Sequence, residues 1–366
     1  MNHNTQRLHA LGQSLWLDNI SRRLLDDGSL RFYIDEFSVT GLTSNPTIFD
    51  EAIGAGDTYD EGIRVKAATG KSGEALFVEL ALEDLRRAAD MFRPIFDATD
   101  RVDGWVSMEL SPLLADDTAG SVEAAKQIYR QADRPNLFVK IPGTPAGIPA
   151  IEESIFAGVP INVTLLFSRE QYLASAEAYL RGIERRLAAG RDARVSSVAS
   201  VFVSRWDRAV GDKAPAALRN KLGIAVAAQS YRAYRELLAS PRWRKLADAG
   251  AQPQRLLWGS TGTKDPQASA TLYIEALAAP DTINTMPEKT LRAFAEHGRL
   301  GAAMPDDGGD AETVLSNFKE AGVDVDALAA QLQQEGAQAF VKSWHALLQR
   351  IAEKSDALAD AGARNA

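Results

Sequence analysis

The sequence contains no cysteine. Disulfides, thiolate metal sites and thiol nucleophiles are thereby excluded, and a reducing or redox-indifferent cytoplasm is the expected setting. Histidine is scarce as well. The four present, His3, His9, His297 and His345, are far apart in the chain and none falls at the end of a predicted strand, so metal chemistry gains little support. Long apolar runs are missing: the opening Met1-Asn2-His3-Asn4-Thr5-Gln6-Arg7 lacks the core of a signal peptide, and no later stretch approaches the length of a membrane span. Positive charge is in deficit, with 41 Lys and Arg against 49 Asp and Glu, a net charge of -8. Such a chain is a poor general binder of nucleic acid, while a local cationic pocket for phosphate stays open. There is also no tandem repeat and no Gly/Ser or Pro linker long enough to divide domains.

What is there suits a globular enzyme: 366 residues, 45% hydrophobic and 25% charged, enough to bury a large core. Short β-prone runs alternate with helical periodicity along the whole chain. Strands are predicted at Ser14 to Asp18, Val39 to about Asn45, Gly104 to Glu109, Leu137 to Lys140, Ile161 to Phe167, Val195 to Val203, Arg255 to Trp258 and Thr282 to Met286. Helical spacing recurs between them, for example over Glu74 to Phe96, Ser121 to Ala132, Ser168 to Leu187 and Asp265 to Ala279. An Ala- and Gln-rich helical tail runs over roughly 311–361. Eight strands interleaved with helices predict one (β/α)8 TIM barrel domain over 1–366 with additional N- and C-terminal helices; a doubly wound open sheet is the alternative. The barrel is favoured by where polar residues fall. Asp18, Asn45, Glu109, Lys140, Asn162 and Thr164 lie at or near the C-terminal ends of successive predicted strands, where barrel enzymes carry their reactive groups.

Lys140 is the centre of that set. A lysine aimed out of a buried sheet into apolar surroundings is expected to have a lowered pKa, and the neutral amine can attack a carbonyl to form a Schiff base. An isolated Val-Lys-Ile-Pro stretch is more often an exposed strand end, so the reading depends on its neighbours. Glu109, one strand away, and a water held by Thr164 could move protons as the carbinolamine forms and dehydrates. Asp18 could take a proton from a substrate hydroxyl during carbon–carbon cleavage, or could instead cap the following helix. Asn45 and Asn162 offer donors and acceptors suited to sugar hydroxyls. Ser204-Arg205 follows the sixth strand and Gly259-Ser260-Thr261-Gly262-Thr263-Lys264 the seventh; this glycine-containing loop is a candidate phosphate seat, although it lacks nucleotide P-loop spacing.

Several long stretches resemble one family. Gly41-Leu42-Thr43-Ser44-Asn45-Pro46-Thr47-Ile48-Phe49 and Val139-Lys140-Ile141-Pro142-Gly143-Thr144 are similar to two signatures of the transaldolase family, the second around its Schiff-base lysine. Ile161-Asn162-Val163-Thr164-Leu165-Leu166-Phe167-Ser168, Ser200-Val201-Phe202-Val203-Ser204-Arg205 and Asn284-Thr285-Met286-Pro287 resemble further family motifs in the same order, so that the match runs from Asp18 to about Leu291. The C-terminal helices resemble a longer bacterial subtype. The resemblance implies a class I aldolase-type barrel that moves a dihydroxyacetone unit between sugar phosphates in the non-oxidative pentose phosphate pathway. It implies Lys140 as the Schiff-base residue, Asp18 as acid/base, and Glu109 with Thr164 at the catalytic water. Asn45, Asn162, Ser200 and Phe202 would bind the dihydroxyacetone part, and Arg205 the phosphate. Family members carry a short serine turn followed closely by arginine where this chain has a longer loop, with Ser260, Thr261 and Lys264 as its nearest equivalents. No cofactor and no metal are implied, and the expected enzyme is a cytoplasmic monomer or homodimer. Two alternatives stand beside it: a fructose-6-phosphate aldolase that releases dihydroxyacetone, and a barrel that binds sugar phosphates without turnover.

Overall fold

Short strands joined by helices must run parallel, and a parallel sheet must cover both its faces. Here the sheet does so by closing on itself. The computed structural model of the chain describes residues 1–365. Its strands are β1 (Ser14–Asp18), β2 (Val39–Thr43), β3 (Val106–Glu109), β4 (Leu137–Pro142), β5 (Ile161–Leu166), β6 (Ser197–Phe202), β7 (Arg255–Gly259) and β8 (Ile283–Met286). Each pairs in parallel with the next, and β8 returns to β1, giving a closed (β/α)8 barrel rather than an open sheet.

Alternation along the strands decides what fills the barrel. Trp16, Phe138, Val198, Leu257 and Ile283 form one interior layer, and Trp105 stacks on Phe138 with ring centroids 4.0 Å apart. Space there is short. Gly41 on β2 faces the Trp16 indole, and a Cβ at this position would lie 2.7 Å from that ring. The Trp16 indole N–H donates to Asp103 at 2.8 Å, which anchors the floor of the barrel. Two residues further along each strand, the same inward parity carries Asp18, Thr43, Glu109, Lys140, Ser200 and Thr285 into the upper layer. The outward residues, among them Leu15, Leu17, Val139, Ile141, Ile161, Val163 and Val201, pack under the surrounding helices.

The helices depart from expectation in three places, one of them the unforeseen helix Glu288–His297 after β8. Between Asn45 and Glu74 the sequence reading placed nothing, taking Pro46 as a stop; the structure has helices Pro46–Gly54 and Asp60–Ala68. Asn45 is an N-cap, its Oδ1 accepting from the Ile48 N–H at 3.0 Å, and Pro46 occupies the first turn, where its missing N–H costs nothing. The helix expected over Asp265 to Ala279 shrinks to Leu272–Ala276. Local side chains win there: Asp265 accepts from the Gln267 N–H and Ser269 from the Thr271 N–H, which holds the backbone in turns.

The helical tail forms Ala311–Glu320 and the long helix Val325–Asn365. The latter packs on Pro46–Gly54, Asp60–Ala68 and Gly73–Ala98. Its Trp344 meets Phe77 edge-on at 5.2 Å, and Arg350 pairs with Asp50 at 2.6 Å. Gln333 and Gly336, earlier on this helix, lie over the C-terminal ends of β4 and β5. No helix among the described residues is long and apolar enough to cross a membrane.

Candidate active site

Strand register brings the reactive groups together. Glu109 on β3 is the Cα partner of Lys140 on β4, and Lys140 is the partner of Asn162 on β5. Lys140 Nζ donates to Glu109 Oε2 at 3.1 Å and to the Ser44 carbonyl at 3.0 Å. Both ends of the pair are buried, Lys140 5% and Glu109 7% exposed, so bulk water screens them little.

Asp18 ends β1 across the mouth. It is not a helix cap, because Ser21 caps the following helix through the Leu24 N–H. Its carboxylate accepts from Thr43 Oγ1 at 2.8 Å, and Thr43 in turn bonds Thr285 at 2.6 Å. Although the residue is partly open to the mouth, protein encloses the carboxylate, and this desolvation raises its pKa; the nearby Lys140 charge, the Thr43 hydroxyl and Lys264 pull the other way. Glu109 is likewise raised, first by burial and further by Asp18, against the opposing pull of Lys140 and Arg205. Two carboxylates with raised pKa values flank one amine, so each can hold or release a proton there.

A hydroxyl–amide chain lies beside the amine. Ser200 Oγ donates to Asn162 Oδ1 at 2.7 Å, and Asn162 Nδ2 donates to Ser107 Oγ at 3.1 Å, fixing the amide orientation. Thr164 is fully buried, and its Oγ1 has no hydrogen-bond partner within the protein. Asn45 lies at the mouth with its Oδ1 committed to the cap described above, leaving its amide N–H groups for other acceptors.

The expected phosphate residues divide. Arg205, Ser260 and Lys264 line a cleft of about 520 Å³ with Ser204, Arg208, Leu332 and Glu335. The Arg205 guanidinium stacks on Phe202 at 5.0 Å, which holds the cation against the rim of the barrel; burial lowers its pKa while Glu109 pulls it back up. Thr261 is not brought into that cleft. It is fully buried, and its hydroxyl donates to the Thr285 carbonyl at 3.0 Å, tying the loop after β7 to β8. Arg208, which the sequence reading passed over, supplies a third cation; its position one turn after Arg205 on helix Ser204–Val210 was the available signal. Thr43, Ser44 and Ser107 were also passed over, although two of them share the inward parity of their strands.

An amine held by a carboxylate in the mouth of a closed barrel, with a cationic cleft beside it, is the arrangement of a barrel enzyme that works on anionic carbonyl compounds. Comparison with known proteins narrows the class. Residues 15–351 match the Transaldolase/Fructose-6-phosphate aldolase family, and the chain belongs to that family. A transaldolase of Parafrankia sp. (strain EAN1pec) is 46% identical over 357 residues, spanning 95% of this chain and 96% of its own. Transaldolases of Saccharopolyspora erythraea and Thermobifida fusca (strain YX) are each 44% identical, covering 97% and 95% of this chain and 98% and 97% of theirs.

Proposed function

We propose that this enzyme is a transaldolase: it moves a dihydroxyacetone unit from a ketose phosphate, sedoheptulose 7-phosphate or fructose 6-phosphate, to glyceraldehyde 3-phosphate or erythrose 4-phosphate. The observation that carries the reading is the buried Lys140–Glu109 pair at 3.1 Å, with Arg205 of the cationic cleft near enough to act on the Glu109 carboxylate. Lys140 Nζ gives a proton to Glu109 and attacks the ketose C2 carbonyl. The carbinolamine loses its hydroxyl as water, with Glu109 as proton donor and a water on the Thr164 hydroxyl as relay, and the Schiff base results. Asp18 then accepts the proton of the C4 hydroxyl as the C3–C4 bond breaks. The aldose phosphate leaves, and the electron pair stays on the three-carbon unit as an enamine bound to Lys140. Reversal with a second aldose phosphate completes the transfer, so the cycle as written balances without a cofactor or metal.

Asn45, Asn162, Ser200 and Phe202 would hold the dihydroxyacetone part, Ser200 and Asn162 through the oriented chain described above. Arg205, Ser260 and Lys264 would hold the phosphate, with Thr261 fixing the loop that carries the last two. Transfer is preferred to release because the full-length relatives at 44–46% identity bear the transaldolase name. The reading places the enzyme in the cytoplasm, in the non-oxidative pentose phosphate pathway, as a monomer or homodimer.

The test is product analysis with fructose 6-phosphate, with and without erythrose 4-phosphate. Formation of sedoheptulose 7-phosphate that depends on the acceptor is expected. Equal release of dihydroxyacetone with and without acceptor would make the protein an aldolase, and no turnover in either case would leave a binding protein.

A further inference from the structure

The strand that carries Asn162 and Thr164 is irregular. Between its pairings Val163 with Ala199 and Leu166 with Val201, β5 advances three residues while β6 advances two, so one extra residue is accommodated. The bulge falls at Leu165, whose φ is 58°, a left-handed conformation that an L side chain adopts at a cost. Thr164, with its unpartnered hydroxyl, immediately precedes it. A strained backbone persists only where its surroundings hold it.

What holds it comes from 168 residues further along the chain. Gln333 Nε2 donates to the Leu165 carbonyl at 2.9 Å and to the Gly143 carbonyl at 2.9 Å. Gly143 follows the end of β4, three residues after Lys140, and its own N–H donates to the Thr164 carbonyl at 2.8 Å. The two hydrogens of one amide thus join the ends of β4 and β5 at the point where the bulge interrupts the pairing of β5 with β6. One turn on, Gly336 lets the helix approach: a Cβ there would lie 2.8 Å from Leu165 Cδ2 and 3.1 Å from Arg205 Nη1.

We propose that Gln333 is a positioning residue: its amide pins the Leu165 bulge and so fixes the Thr164 hydroxyl relative to Lys140. This rests on the Schiff-base reading above and adds that the C-terminal helix sets the geometry of the proton relay. Gln333 touches no reacting atom. Its loss therefore slows the steps that use Thr164 while leaving phosphate recognition at Arg205 and Lys264 in place.

The experiment compares Gln333→Met and Gln333→Glu, which keep the side-chain length and remove the donors, with Gln334→Met as a control on the exposed face. Borohydride trapping of the parent protein with fructose 6-phosphate is done first, so that failure of the lysine reading is recognised before any variant is judged. Both Gln333 variants are expected to lose on the order of 10²-fold in kcat, with KM for fructose 6-phosphate within about twofold of the parent. Hydrogen exchange should quicken at the Gly143 amide and not in β1 or β2. The control should match the parent in all three. A variant that keeps the parental kcat, or one whose KM rises while kcat holds, overturns the proposal. So does a loss of kcat with unchanged exchange at Gly143. If Gln333→Met fails to fold, Gln333→Glu decides by the same readouts, and failure of both to fold would assign Gln333 to stability and overturn the positioning role.

Discussion

Asp18, the acid/base of the proposed mechanism, carries a stability consequence of its own burial. Burial raises its pKa, so the folded chain keeps a proton that the unfolded chain has already lost. Its contribution to stability is therefore present below the ordinary aspartate pKa of about 3.9 and is lost as pH rises through the raised value. At neutral pH the ionised group opposes folding. Asp18→Asn should raise the melting temperature at pH 7, and the gain should vanish in acid. The same variant should lower kcat by about 10²–10⁴-fold, the usual loss when a general acid/base is removed. A melting temperature that falls at pH 7 and recovers in acid would contradict the assignment. Thr43 acts in the opposite sense, since its hydroxyl favours the charged carboxylate. Thr43→Val should thus move the acid limb of the kcat/KM profile to higher pH, and an unmoved limb would mean that Asp18 does not set it.

At the scale of elements, the barrel is built by alternation, and alternation is what the sequence displays most openly. All eight strands were legible, as was the rise of Lys140, Glu109 and Asp18 to a common end. The misreadings share a physical cause. Pro46 can stop a strand or open a helix, and only the Asn45 cap decides between them. Asp265 to Ala279 has helical spacing, but its Asp and Ser side chains bond their own backbone. Thr261 and Ser260 are neighbours in one loop, yet a left-handed Ser260, with φ of 54°, turns the two hydroxyls apart. Gln333 gave no signal, because contact across 168 residues has no period. Interior packing makes a further prediction. Gly41 leaves room for the Trp16 indole and the Trp105 carbonyl, so Gly41→Ala should overpack the barrel and cost about 1–3 kcal/mol in denaturant unfolding. A neutral result would show that both the indole and the Trp105 backbone can shift freely.

Across the whole molecule, the long C-terminal helix lies over the ends of β4 and β5 and lines one side of the cationic cleft. Trp344 is almost wholly buried against Phe77, and Phe77 meets Phe49 at 5.2 Å; all three belong to the core that packs the helices on the outward faces of the strands. Lys354 adds a pair with Asp60 at 2.5 Å. We propose on this basis that 1–366 folds as one domain, with the extension over 311–361 part of the same cooperative unit. Thermal unfolding followed by far-ultraviolet circular dichroism and by tryptophan fluorescence should then give coincident transitions. Helix loss ahead of the fluorescence change would separate the extension from the barrel.

The account turns on the amine of Lys140, and one measurement reaches it directly. The protein is incubated with fructose 6-phosphate, reduced with borohydride and digested, and the peptide containing Lys140 is weighed by mass spectrometry. A reduced three-carbon or whole-sugar adduct on Lys140, absent without sugar and absent in Lys140→Ala, is the predicted result. An unmodified Lys140, under conditions that trap another lysine-dependent aldolase, would contradict the mechanism.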